Sequence, residues 1–319
     1  MKPNVKLFDL AVISAIVVLV VGCSAGSEKS TTDAQPSGDT AVAELPLPQV
    51  PSLLREPQER AGYIVAHFWD AMDFSDTLRS HNEAFMEQNI ANFLSLFPHA
   101  SPDALTPGVQ ALLKRAAADE GAIRLVSDLA EHYLADPNSP MRCEDYYIVF
   151  LEQMLALPSL PHDSRERMAY SLAMARKNRP GSIATDFTFT TREGRRQRLS
   201  TFGTGDVLLI FYDPACDHCT DILQQLQAMP EVGARIADSS LSVLAIYTEG
   251  DRELWQHTYN AMPAEWTVGI DESRIVEREL YDLPAMPVVY LLGAGRRIVL
   301  KDAGLGELAD SLARSSNHP

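Results

Sequence analysis

Cysteine is scarce in this chain: four in 319 residues, at Cys23, Cys143, Cys216 and Cys219. That is too few for a domain stapled by disulfides. With no second CxxC or CxxH, the 216/219 pair also lacks the other half of a zinc site. Basic residues are outnumbered, 27 Lys and Arg against 43 Asp and Glu, for a formal charge of −16. No stretch interleaves Lys or Arg with aromatics, which excludes nucleic acid as a partner, because a phosphate backbone needs a clustered basic face. His67, His81, His99, His132 and His162 are scattered without a ligand spacing such as HExxH, and read as surface or packing residues. No metal and no cofactor is expected. A 34-residue helical repeat is absent as well.

Also missing is an apolar run long enough to span a bilayer. Leu10 to Val21 is about a dozen residues, against the ~20 a membrane-crossing helix needs. Preceded by Lys2 and Lys6, this run suits a secretory signal. It ends in Val20-Val21-Gly22-Cys23, which resembles the bacterial lipobox. The resemblance implies cleavage before Cys23 and lipidation of that cysteine, a membrane anchor made stable by several acyl chains. Residues 1–22 are then a lipoprotein signal peptide. Residues 23–50 are the anchor cysteine and a Ser/Thr/Gly/Pro/Ala-rich flexible tether, spanning roughly 30 Å as a coil. No acidic cluster follows Cys23, and Ser24 is not a retention Asp, so the expected location is the cell envelope, on the periplasmic face of an outer membrane.

From 51 to 178 the apolar period is helical. Ile64, Phe68 and Met72 recur at i, i+4, i+8, and Ile90, Phe93, Leu94 and Phe97 at i, i+3, i+4, i+7. Turn chemistry at Phe97-Pro98, Ser101-Pro102-Asp103, Asp136-Pro137-Asn138 and Leu157 to Pro161 divides about six helices, an all-α domain of bundle or stacked-hairpin type. After Asn178-Arg179-Pro180-Gly181 the texture changes. Phe187–Thr191 alternates and Arg196–Leu199 returns as a hairpin. Val207–Tyr212 and Leu241–Tyr247 are continuous apolar runs fit for buried strands. Trp266–Ile270 reads as a short strand, Val288–Leu292 and Arg296–Leu300 as a last hairpin. Helices are expected after Cys216 to about Met229, over Asp251–Tyr259 and Ser273–Tyr281, and at the C-terminus. Residues 179–319 are thus an α/β sandwich with a mixed sheet and flanking helices. Trp69, Trp255 and Trp266 fall in apolar patterns and are assigned to the core.

The chemistry gathers at Cys216-Asp217-His218-Cys219. One helical turn brings both sulfurs together, so a disulfide forms with little rearrangement. The strand-to-helix junction puts Cys216 at a helix N-terminus, whose free N–H groups favour a thiolate. A protonated His218 would add to that effect, and Asp217 would oppose it. The other reading of the pair is a structural disulfide. Cys143 opens a helix beside Glu144 and Asp145, whose charge opposes a thiolate, and reads as inert.

Tyr212-Asp-Pro-Ala-Cys216-Asp-His-Cys219 after an apolar strand resembles the active-site segment of thioredoxin-like proteins. Met286-Pro287 before the strand at Val288 resembles that family's cis-proline, and the 68-residue separation of Cys219 and Pro287 fits the fold. The lead-in from Pro180 to Phe187 is similar to the redoxin branch, which includes periplasmic TlpA/ResA-like thiol–disulfide oxidoreductases. The whole arrangement is similar to exported Bacteroidetes lipoproteins in which an uncharacterised helical domain precedes the redox domain. The sequence departs from the family at Ala215, where a Trp is usual, and at Ile210 and Ile222, where relatives carry acids. Asp213, three residues before Cys216, is not the Thr or Ser of a peroxidase.

The resemblance implies a thiol–disulfide oxidoreductase of either direction, with Cys216 as nucleophile, Cys219 as resolving thiol, and Asp217, His218, Met286 and Pro287 in support. Its partners would be a disulfide-bearing protein or small thiol, an upstream redox protein, and the membrane through Cys23. Two competing readings are an envelope protein-binding module with a vestigial or structural cysteine pair, and a copper-handling protein using both thiolates with His218 or Met286.

Overall fold

The structure, a computed structural model, describes residues 44–315. The signal segment, Cys23 and the tether as far as residue 43 lie outside the described residues. Among those described, no helix is long and apolar enough to cross a membrane.

Seven α-helices come first: α1 (Pro57–His67), α2 (Thr77–Ser80), α3 (Glu83–Ser95), α4 (Pro102–Ala116), α5 (Glu120–Leu134), α6 (Glu144–Leu155) and α7 (His162–Ala175). Their starts follow from local chemistry. Asp76, Asn82 and Asp119 accept backbone N–H groups of Leu78, Phe85 and Ala122 as N-caps. Pro57 and Pro102 stand in first turns, where a missing N–H costs nothing. The helix beyond the six expected is α2, a single turn too short to print an apolar period.

Helix α1 packs on α4, and α6 on both α4 and α7. The α1–α4 crossing depends on Gly108, where a Cβ would stand 2.5 Å from Cγ1 of Val65. Val65, Trp69, Phe93, Phe97 and Phe150 are buried in one helical core. Leu45 joins that core at 7% exposure, and its N–H donates to Oδ1 of buried Asn89 at 2.8 Å. The tract expected to be tether through residue 50 is therefore docked on the helical core at Leu45.

The second half is a seven-stranded mixed sheet. Its strands are β1 (Thr188–Thr191), β2 (Arg196–Arg198), β3 (Asp206–Tyr212), β4 (Leu241–Tyr247), β5 (Thr267–Asp271), β6 (Val288–Leu292) and β7 (Ile298–Leu300), in the order β2-β1-β5-β4-β3-β6-β7. Central β3 runs parallel to β4 and antiparallel to β6. Leu208, Ile210 and Tyr212 face a core shared with α8 (Asp217–Ala228), α9 (Pro230–Ala237), α10 (Arg252–Thr258) and α11 (Leu305–Ser315). Val207, Leu209 and Phe211 face a second core with Phe187, Phe189, Ile275 and Tyr281. Burial on both faces explains why this strand is apolar at every position after its first.

Two expected elements differ. Ser273–Tyr281 is a chain of turns, not a helix. The Asp271 carboxylate accepts the N–H groups of Ser273 and Ile275, each at 2.6 Å, and Arg274 and Glu279 adopt φ of 58° and 48°. Left-handed residues at both ends cannot propagate a right-handed helix. The helix expected to about Met229 ends there, at Ala228, but Pro230 opens a further helix, α9, that was not expected.

The described residues, 44–315, fall within one compact unit. The halves meet through polar groups centred on Lys301, whose ammonium donates to Glu144 Oε1 at 2.6 Å and to the carbonyls of Ala175 and Lys177 at 3.1 and 2.9 Å. Ion pairs Arg142–Asp302 and Arg179–Asp145 flank it. Asn178 locks the passage between the halves, donating to the Leu280 carbonyl and accepting the Thr185 N–H, both at 2.8 Å. Lys301 exposes only 6% of its side chain. Removing one partner of a buried pair leaves the other uncompensated, so Lys301→Met is expected to cost about 3 kcal/mol. Chemical denaturation measures it; an unchanged midpoint would show that the ammonium does not join the halves.

Candidate active site

Strand β3 delivers the chain to a tight turn at Asp213. There Oδ1 of Asp213 accepts the Ala215 N–H at 2.9 Å, and its carbonyl accepts the Cys216 N–H at 3.2 Å. The turn aims the chain into α8 with Cys216 as N-cap, in extended conformation (φ −96°, ψ 116°). Its sulfur accepts the N–H of Cys219 at 3.3 Å. A donor thus stands where negative charge on that sulfur would form, at the positive end of the helix. Both cysteines are free thiols, Cys216 half-buried and Cys219 fully buried.

The Met286–Pro287 bond is cis, and the Met286 carbonyl lies 3.9 Å from the Cys216 sulfur, accepting its S–H. The register accounts for the meeting: Phe211 of β3 pairs with Val288 of β6, so Pro287 arrives at the sheet end that carries the cysteines. Residues 70 apart in sequence are brought together this way. Asp217 and His218 lie next to them in sequence but are exposed.

Cys219 sits deeper. Burial pushes its thiol up to about 12, and the adjoining Cys216 sulfur and the charge of Asp213 add to the effect, while the Asp213 N–H, donating to Cys219 Sγ at 3.5 Å, works against it. Asp213 is the residue that sequence reasoning passed over except to argue against a peroxidase. Its signal was its place, directly after the strand and before Pro214. Ile210 is buried in the core and Ile222 packs against it, so neither presents an acid.

Asp213 also lines an open cavity of about 340 Å³ with Tyr212, Thr220, Leu223, His257 and Met262. Cys143 is the N-cap of α6 and lines a different cleft; burial raises its thiol, and Asp145 and Glu144 raise it further. Among the described residues no three His, Cys, Asp or Glu side chains gather as a metal site. Trp69, Trp255 and Trp266 are all buried.

The chain is similar to a thioredoxin-like protein from Bacteroides caccae of known crystal structure, with 33% identity over 85% of this chain and 98% of that one, at a TM-score of 0.80. It is also similar to the C-terminal domain of an uncharacterized protein from Bacteroides fragilis: 36% identity, 43% of this chain, 98% of that one, TM-score 0.42. A third solved structure, the thioredoxin domain of a thiol-disulfide oxidoreductase from Bacteroides vulgatus, is 20% identical over 44% of this chain and 99% of that one, at a TM-score of 0.37. Residues 22–178 match the profile of a domain of unknown function, DUF5106. No curated protein matches.

The two thiols should label unequally. A thiol raised to about 12 stays protonated through neutral pH and ionises only as the pH climbs toward that value. Iodoacetamide followed by peptide mass mapping should therefore modify Cys216 at least about tenfold faster than Cys219 at pH 8. Equal rates would contradict the described burial.

Proposed function

The chain belongs to the thioredoxin-like proteins, and we propose that it is a thiol–disulfide oxidoreductase working through Cys216 and Cys219. One observation carries this reading: the half-buried Cys216 sulfur lies between the Cys219 N–H at 3.3 Å and the Met286 carbonyl at 3.9 Å, beside the cis-proline. An extended substrate placed against Met286 and Pro287 would bring its disulfide to that sulfur.

In the reducing direction the Cys216 thiolate attacks one sulfur of the substrate disulfide. The other substrate sulfur leaves and takes up a proton, and a mixed disulfide remains on Cys216. Cys219 then loses its proton and attacks Cys216, releasing the second substrate thiol and closing the Cys216–Cys219 disulfide. An upstream redox partner must supply two electrons to restore the dithiol. Run backwards, the same steps donate a disulfide, and the direction is set by differences of a few kcal/mol in redox poise. Asp217 and His218 would tune the approach of substrate from the solvent side.

The remaining parts of the proposal rest on sequence. The lipobox ending at Cys23 supports lipidation and export, and the absence of a retention Asp supports the periplasmic face of the outer membrane.

Cys216→Ser is expected to abolish reduction of a disulfide peptide, with a loss beyond about 10³-fold, since no other half-exposed thiol stands in the site. Cys219→Ser should stall the reaction as a mixed disulfide visible by mass. Undiminished turnover in Cys216→Ser would rule out the redox role and leave a binding module with a structural cysteine pair.

A further inference from the structure

The open cavity of about 340 Å³ borders the nucleophile, between α8 and the chain from His257 to Pro263. Its volume falls in the range of small-ligand sites. Two residues of its wall hold the backbone of Cys216. The Asp213 carbonyl accepts the Cys216 N–H at 3.2 Å, and Thr220 donates its N–H and its hydroxyl to the Cys216 carbonyl at 3.2 and 3.4 Å. A residue next to the substrate cysteine is therefore the one placed to enter. The wall combines apolar surface from Leu223 and Met262 with the amides of Gln224 and Gln227. The buried Tyr212 hydroxyl in the same wall makes no hydrogen bond of good geometry. Asp213 supplies a carboxylate: its Oδ1 takes the Ala215 N–H at 2.9 Å, and its Oδ2 takes no hydrogen bond from the described residues.

Among the described residues no Lys or Arg lines this cavity. Arg192, whose charge bears on Tyr212, is turned to the carbonyls of Pro263, Ala264 and Trp266 and to Glu193. His257 donates from Nδ1 to the Glu253 carbonyl at 2.7 Å, which leaves Nε2 of the neutral ring as an acceptor. The surroundings have the same sign. No Lys or Arg occurs from Tyr212 to Ala234, and Asp217 and Asp221 are exposed there. Tyr212 pairs with Tyr247, so exposed Glu249 and Asp251 follow β4 at the same sheet end. We infer that the cavity takes a cationic side chain, Lys or Arg, standing next to the disulfide of a protein substrate. Its methylene stem lies along Leu223 and Met262, and its charge meets Asp213. The assignment depends on Cys216 being the nucleophile of a thiol–disulfide oxidoreductase.

Three short disulfide peptides test this, identical except for Lys, norleucine or Glu beside the first cysteine. Each is mixed in excess with the reduced full chain, and single-turnover rates are followed against peptide concentration. The Lys peptide should half-saturate at about fivefold lower concentration than its uncharged isostere norleucine, and about tenfold lower than Glu, with similar limiting rates. The advantage should shrink in high salt. Gln227→Lys sets an ammonium in the cavity wall on an exposed helix face, and should cancel the Lys preference without slowing the norleucine peptide. Gln225→Lys makes the same change on the same helix outside the cavity, and should keep the wild-type ranking. Equal half-saturation by all three peptides would overturn the inference, as would a norleucine preference, which marks an apolar occupant. Gln227→Lys and Gln225→Lys acting alike would also overturn it, since the charge would then be read outside the cavity. A wild type that reduces none of the peptides would overturn the oxidoreductase reading beneath it.

Discussion

At the end of β3 a single turn decides what the rest of the molecule can do. The Asp213 side chain folds back on the Ala215 N–H, the chain enters α8, and the Cys216 sulfur takes the N–H of Cys219 at 3.3 Å. That contact fixes the two sulfurs on one helical turn but at unequal depth. One is half-exposed and faces the Met286 carbonyl, and the other is sealed in the core shared by the sheet and α8. Unequal depth separates the tasks: an accessible sulfur can meet a substrate, and a buried one can react only with its neighbour. The sheet order serves this turn, since placing β6 beside β3 carries Pro287 to it.

The helical half is attached by a different kind of force. Each half has its own apolar core, with one between Leu45 and Ala175 and the others between Ala184 and Leu312. Between them stand charges and carbonyls, and Lys301, flanked by the Arg142–Asp302 pair, binds α6 and the end of α7 to the end of β7. Exposed ion pairs such as Arg176–Glu152 contribute little. A buried ammonium with three acceptors is another matter, because its loss strands Glu144, whose carboxyl burial already raises. The helices are thus held in register with the strand that ends near the cis-proline loop, where the Ala303 N–H donates to the Val289 carbonyl.

Much of this was legible in the sequence. Continuous apolar runs at Val207–Tyr212 and Leu241–Tyr247 marked the two strands buried on both faces, and the cysteine spacing marked the helix start. What was hidden has physical causes. Ser273–Tyr281 carries a helical pattern, but Arg274 and Glu279 adopt left-handed conformations that interrupt it near both ends. Met229-Pro230 was read as one helix end, although the proline also opens α9. Asp213 escaped notice because its importance lies in an N–H···S contact and a shared cavity, neither of which has a sequence period. Lys301 and Glu144, separated by 157 residues, could be joined only by the fold.

The central claim, that Cys216 and Cys219 cycle between dithiol and disulfide, is tested most directly by redox titration. The full chain is equilibrated in thiol–disulfide buffers of graded potential, and the fraction of Cys216–Cys219 disulfide is read by alkylation and mass. The account predicts one reversible two-electron transition at a potential above about −300 mV, outside the range of permanent structural bonds. A pair that never oxidises, or one still oxidised below that potential, would contradict it.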